Sequence, residues 1–227
     1  MGERILVINP NSTEKVTQGI AEAMAPLRLD GGPEIECVGL EQGPPGIENE
    51  GHVAQVTTLI AERIRARDND CAGFVIACYS DPGIALARET TKKPVLGIAE
   101  CGMLTAMTLG QKFGVIAILD RSIPRHLRYI GSLGWTDRLA GERAIGLGVT
   151  ELSDEGRTLT RMIDTAKLLR DQDRADVIVM GCAGMARYRD RVEQAVGLPV
   201  VEPTQAAVGM AIGRVRLGWR TRAQMAA

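Results

Sequence analysis

Gly73-Phe74-Val75-Ile76-Ala77-Cys78-Tyr79-Ser80-Asp81-Pro82-Gly83 and Asp176-Val177-Ile178-Val179-Met180-Gly181-Cys182-Ala183-Gly184-Met185 are two versions of one pattern. Each begins with a short apolar run rich in β-branched residues, reaches a cysteine, passes through small residues and enters a helical stretch. An apolar run of this length bounded by turn residues reads as a strand. Cys78 lies 16 residues before Pro94-Val95-Leu96, and Cys182 lies 17 before Pro199-Val200-Val201. The unit strand, cysteine, helix, strand is thus duplicated, and it puts a thiol at the carboxyl end of each of two related strands.

The duplication extends outward to the strand that opens each half. Arg4-Ile5-Leu6-Val7-Ile8-Asn9-Pro10-Asn11-Ser12 corresponds to Phe113-Gly114-Val115-Ile116-Ala117-Ile118-Leu119-Asp120-Arg121-Ser122. Ile5 precedes Cys78 by 73 residues and Val115 precedes Cys182 by 67. Strand and helix patterns alternate throughout, which argues a parallel α/β architecture. Strands are expected over 4–8, 34–40, 72–77, 95–98, 113–119, 143–149, 176–180 and 199–201. Helices are expected over 12–25, 52–66, 82–91, 100–111, 122–133, 154–171, 185–196 and 203–218. Ser12 or Thr13 is placed to cap the first helix and Ser153 the sixth. Gln42-Gly43-Pro44-Pro45-Gly46 reads as a loop.

The expected fold class is α/β, with two pseudo-symmetric parallel-sheet lobes and the active site in the cleft between them. One lobe is 1–112, completed by the C-terminal helical segment 203–227; the other is 113–202. Ligands of open parallel sheets bind beyond the carboxyl ends of the strands. Both cysteine loops and the 9–12 loop should open there.

Composition narrows the function. The 227 residues are 45% hydrophobic but only 3% aromatic, so the core must rest on aliphatic residues and methionine. A net charge of −1 leaves no electrostatic footprint for nucleic acid. The basic tail Arg214-Val215-Arg216-Leu217-Gly218-Trp219-Arg220-Thr221-Arg222 reads as the solvated or subunit-facing end of a last helix. No apolar run approaches the ~18 residues of a membrane span, and no signal-peptide h-region precedes Ile5-Leu6-Val7-Ile8. The expectation is a cytoplasmic homo-oligomer acting on a small molecule, without nucleic-acid or membrane partners. Five cysteines, at 37, 71, 78, 101 and 182, show no CxxC spacing and suggest no disulfide framework. His52 and His126 lack zinc-ligand spacing to a cysteine pair, so no metal is expected. Neither a Walker loop nor a Gly-x-Gly-x-x-Gly follows the first strand.

A free cysteine is most often a small buried hydrophobe, and Cys37, Cys71 and Cys101 are read that way. Cys78 and Cys182 sit in a different context. Pro82 suits the first turn of a helix after Cys78, and a helix N-terminus favours thiolate over thiol. Cys182 is flanked by Gly181, Ala183 and Gly184, whose backbone amides can approach a ligand closely. Two facing thiols can take a proton from one face of a carbon and return one to the other. A thiolate is a weak base toward a carbon acid, so donors aimed at the developing enolate must supply much of the rate. Candidates are the amides after Cys78 and Cys182, the Ser80 hydroxyl and Asn11. Asp81 is read as the cap of the helix that follows it, and Glu202 as a helix N-terminal carboxylate.

Asn9-Pro10-Asn11-Ser12-Thr13, Cys78-Tyr79-Ser80-Asp81-Pro82-Gly83 and Gly181-Cys182-Ala183-Gly184-Met185 together resemble the aspartate/glutamate racemase superfamily, and within it the hydantoin and allantoin racemases. The resemblance spans nearly the whole chain. It implies a racemase whose catalytic pair is Cys78 and Cys182, with no metal, pyridoxal phosphate or nucleotide cofactor. It also implies substrate contacts from Asn11, Ile47, Tyr79 and Ser80, and from Ala117, Ile118, Ala183 and Gly184. Relatives carry hydroxyl residues where this chain has Ala117-Ile118-Leu119. That wall is therefore expected to be apolar, favouring a 5-substituted hydantoin with an apolar side chain over allantoin. Threonine at position 117 should shift preference toward polar substrates.

Other readings stay open at this point. An arylmalonate decarboxylase needs one cysteine only, and Cys78 argues against it. A maleate cis–trans isomerase uses two. An amino-acid racemase would need stronger carbanion stabilisation. Outside enzymes, a two-lobed small-molecule binding protein would give facing cysteines no purpose and would show no proton exchange.

Overall fold

Strands that are apolar on both faces need a sheet covered on two sides, and this chain builds two. A computed structural model describes residues 3–219 and Met225. Arg220-Thr221-Arg222 of the basic tail, and most of 203–227 beyond Trp219, lie outside the described residues. The first sheet contains β1 (Arg4–Asn9), β2 (Glu34–Gly39), β3 (Gly73–Ile76) and β4 (Val95–Gly97) in the order β2-β1-β3-β4. Its helices are α1 (Glu14–Ala23), α2 (Glu50–Arg67), α3 (Ile84–Thr90) and α4 (Ile98–Leu109). The second sheet repeats the order as β6-β5-β7-β8, from β5 (Phe113–Ala117), β6 (Leu139–Ala144), β7 (Val177–Met180) and β8 (Val200–Val201). Its helices are α5 (Ile123–Ser132), α6 (Glu155–Asp171), α7 (Arg189–Val196) and α8 (Pro203–Leu217). Every strand pair is parallel. The two-lobed α/β fold read from the sequence is the fold observed.

The fourth helix of each half has changed sides. Ala99, Met103 and Ala106 of α4 pack with Phe113, Val115, Val177 and Val179 of the second sheet. Ala207, Val208 and Ala211 of α8 pack with Ile5, Val7, Val75 and Leu96 of the first. The C-terminal helix thus covers the first sheet, and α4 covers the second in exchange. Gly102 permits the close approach between them, since a Cβ there would lie 2.8 Å from Pro203 Cβ at the start of α8. The exchange ties the two sheets together through the buried faces of two helices.

Three local expectations need correcting. The sixth strand runs over Leu139–Ala144 rather than 143–149. It is a half-exposed edge strand carrying Gly141, Glu142 and Arg143, so it has no apolar run to read. The apolar Ile145, Leu147 and Val149 lie beyond it, and the first two donate backbone bonds to Ala117 O (3.0 Å) and Ile118 O (3.1 Å). The helix expected over 185–196 starts at Arg189, after a 3-10 stretch Ala183–Tyr188. Thr13 stands at the N-cap of α1, but its hydroxyl donates to Pro45 O at 2.7 Å; α6 is capped by Asp154, which accepts from Arg157 N, not by Ser153.

In each sheet the chain leaves the first strand to one side and returns on the other, which makes the gap between β1 and β3, and between β5 and β7, a topological switch point. Such crevices at strand carboxyl ends are where parallel sheets bind ligands. The 42–46 loop folds over the first one: Ser12 N donates to Pro44 O at 3.1 Å, and a Cβ on Gly43 would lie 2.3 Å from Pro10 O.

Candidate active site

Register makes the two cysteines equivalent. Ile8 pairs with Ile76 at the end of β3, and Ile116 pairs with Met180 at the end of β7; each cysteine lies two residues further on. Ala77 N donates to Ile8 O (2.8 Å) and Gly181 N to Ile116 O (2.9 Å). Both chains then turn alike, with Asp81 N donating to Cys78 O (2.9 Å) and Met185 N to Cys182 O (3.1 Å). Gly181 is held by the tight fit: a Cβ there would come within 2.5 Å of Ile116 O.

The two units face one small cavity at the carboxyl ends of the strands. Cys78 and Cys182 both line it, together with Asn11, Ile47, Tyr79, Ser80, Ile118, Ala183 and Gly184. Ala117 does not. It is fully buried in β5, and side chains alternate along an extended chain, so Ile118 takes the inward place. Asn11 Oδ1 accepts from Thr13 N (2.9 Å) and Asn9 Nδ2 (3.1 Å), which fixes the amide and leaves Nδ2 without a protein acceptor.

Sequence reasoning missed the rest of the lining. Val16 and Val149 add apolar surface, while Ser122, Arg125 and His126 add a polar wall. Ser122 lies in the stretch already matched to 4–12, and Arg125 and His126 follow it at +3 and +4, one helical face. That periodicity was the available signal; charged residues on a helix read by default as solvated. Beside the apolar wall expected at this strand end, which Ile118 supplies, these three residues form a second wall that is cationic and hydroxylated.

Both cysteines are half-buried and line the cavity. Burial pushes Cys78 up to about 11 against the helping amide and hydroxyl of Ser80 and the charge of Arg125. Burial pushes Cys182 up to about 12, helped down only by the Gly184 amide and raised further by Cys78, Glu202 and Glu48. The expected lowering by helix N-termini is outweighed by loss of water. Asp81 does not cap the helix that follows it. Its carboxylate, 2% exposed, accepts from Ala99 N and Glu100 N of α4 (both 2.9 Å) and from Tyr129 OH of α5 (2.9 Å). Glu202 does cap its helix, accepting from Thr204 N (3.0 Å) and Gln205 N (2.6 Å) at the start of α8.

Among the described residues no group of three or more His, Cys, Asp and Glu is placed to hold a metal ion, and no helix is long and apolar enough to cross a membrane. The family described as Asp/Glu/Hydantoin racemase matches residues 5–211. Over 222 residues the chain is 34% identical to the hydantoin racemase of Paenarthrobacter aurescens, covering 96% of this chain and 93% of that protein. The allantoin racemase from Klebsiella pneumoniae has a TM-score of 0.93 at 31% identity, covering 99% of this chain and 93% of that one. Allantoin racemase from Pseudomonas fluorescens gives 0.92 at 33%, covering 96% and 93%. With fold, length and sequence in agreement, the chain belongs to the Asp/Glu/Hydantoin racemase family, in its hydantoin and allantoin branch, and is an isomerase.

Proposed function

We propose that this protein racemises 5-substituted hydantoins or related cyclic ureides, with Cys78 and Cys182 as a two-base pair. The observation that supports this most is the equivalence of the two cysteines, each two residues past its strand and lining one small cavity. One sulfur, as thiolate, takes the proton from C5 and becomes a thiol. The electron pair of that C–H bond moves into the neighbouring ring carbonyl as an enolate. The opposite thiol then gives its proton to the other face of C5, and its S–H pair stays on sulfur. The protonation states of the two cysteines are now exchanged, ready for the mirror-image substrate or for reset by solvent.

The ring carbonyl needs donors as charge develops on it. Asn11 Nδ2 and the backbone amides of Tyr79 and Ala183 are the candidates from this chain. The chemistry calls for no cofactor. A ring-closed substrate suits a thiolate, a weak base toward carbon, better than a free amino acid does, because its C–H is the more acidic. All five cysteines are free, in keeping with a reducing, cytoplasmic setting, and a homo-oligomer completes the reading, to be checked by light scattering.

The test is loss of circular-dichroism signal from enantiopure 5-alkylhydantoin, allantoin and aspartate. The reading expects loss with at least one cyclic ureide and little with aspartate. Faster loss with aspartate than with any hydantoin would move the protein to the amino-acid racemases.

A further inference from the structure

The polar wall of the cavity holds a cation that forms no ion pair among the described residues. Arg125, on α5, is 9% exposed and lines the cavity. Its Nε donates to Ser80 Oγ at 3.0 Å. Among the described residues its Nη groups meet no acceptor, and it forms no ion pair. Glu142 is close enough for its charge to be felt, yet no hydrogen bond joins it to Arg125: its Oε1 is committed to His126 Nδ1 at 2.5 Å and its Oε2 is buried without a partner. Two further lining residues, Ser122 and Tyr79, have buried hydroxyls without a partner, that of Tyr79 within the field of Glu142 and Asp81. No carboxylate lines the cavity at all.

A buried charge left unpaired is costly, and unsatisfied buried hydroxyls add to the cost. A planar guanidinium with free Nη groups is matched by a carboxylate, which accepts two parallel bonds. A second hollow adjoins the first, sharing Val16, Val149, Ala183 and Gly184, and carries Lys15 and Arg187.

We infer that Arg125, with Ser122 and Tyr79, forms a subsite for a carboxylate on the substrate's 5-substituent, so that the favoured substrates are carboxyalkyl hydantoins rather than alkyl ones. The inference rests on the hydantoin reading above and reverses its apolar side-chain preference. The carboxylate neutralises Arg125 while the ring lies between the thiols, and Ile47, Ile118 and Val149 cover the remainder.

The test compares kcat/KM for enantiopure 5-(2-carboxyethyl)hydantoin, its neutral 5-(2-carbamoylethyl) analogue and the near-isosteric 5-isopentylhydantoin. The wild-type protein should favour the carboxylate over both. Arg125→Gln should shrink the carboxylate-to-isopentyl ratio on the order of 10²-fold, the cost of unpairing a buried charge. A wild-type preference for isopentyl or carbamoylethyl overturns the subsite while leaving the racemase reading intact. An equal loss on all three in Arg125→Gln also overturns it, assigning Arg125 to the Cys78 thiolate or the enolate. Inactivity of the wild type on all three overturns the hydantoin reading, and the subsite with it.

Discussion

Around Cys78 the neighbours are Ser80, whose amide and hydroxyl face the sulfur, the Arg125 guanidinium and the Asp81 carboxylate. Around Cys182 they are the Gly184 amide alone, the Glu202 and Glu48 carboxylates, and Cys78 itself. Ser80 and Gly184 are equivalent positions, each two past its cysteine. A serine in one unit and a glycine in the other make two copies of one backbone electrostatically unlike. Burial raises both thiols, but Cys78 stops at about 11 and Cys182 reaches about 12. In the proposed two-base reaction duplication supplies the pair of thiols, and divergence gives them unlike surroundings.

The largest effect should come from removing either partner. Cys78→Ser and Cys182→Ser should each lower racemisation on the order of 10³-fold, the range for losing a positioned acid or base. Near wild-type rate in either variant would break the pairing, whatever the other did.

Next in size is a difference three residues past each cysteine. Asp81 ties α4 and α5 together in the first unit, whereas Met185 fills core in the second. Asp81→Ala strands three donors and should cost about 3 kcal/mol, lowering Tm by roughly 10 °C in a chain of this size. Met185→Leu conserves volume and should cost less than about 1.5 kcal/mol. Thermal unfolding of the two variants side by side measures the contrast, and equal losses would show that the two turns carry the same load.

The smallest effect sharpens the comparison most. Ser80→Gly gives the first unit the second's chemistry. A thiol with a raised pKa ionises only as pH climbs, so kcat/KM should rise with pH toward about 11 and fall above about 12, when Cys182 also loses its proton. Without the Ser80 hydroxyl the rise should move to higher pH, and the rate near neutrality should drop about tenfold. An unchanged pH–rate profile in Ser80→Gly would place the difference between the thiols elsewhere.

The repeated strand–cysteine units were legible because a buried parallel strand must be apolar along its whole length, which leaves a dense signal at Val75-Ile76 and Val177–Met180. The edge strand Leu139–Ala144 was not legible, since half of it faces solvent and its polar residues mask the pairing. Cys78, Ser80, Asn11 and Gly184 announce themselves through local turn chemistry. Arg125 and His126 do not, because a charged helix face turns inward only when tertiary packing aims it there. Ala117 and Ile118 were both read as lining the cavity, and strand alternation admits only Ile118. The exchange of α4 and α8 is a property of the whole chain, and no local window contains it.

The central claim is that two sulfurs on opposite faces of one carbon share the reaction. Running a single enantiomer of 5-(2-carboxyethyl)hydantoin in D2O to low conversion, and reading C5 isotope in each enantiomer by chiral mass spectrometry, tests it directly. Two bases predict a product carrying deuterium at C5 from the first turnover, with recovered substrate still carrying its original hydrogen. Product that retains the substrate's own hydrogen would mean one base serving both faces, and would contradict the account.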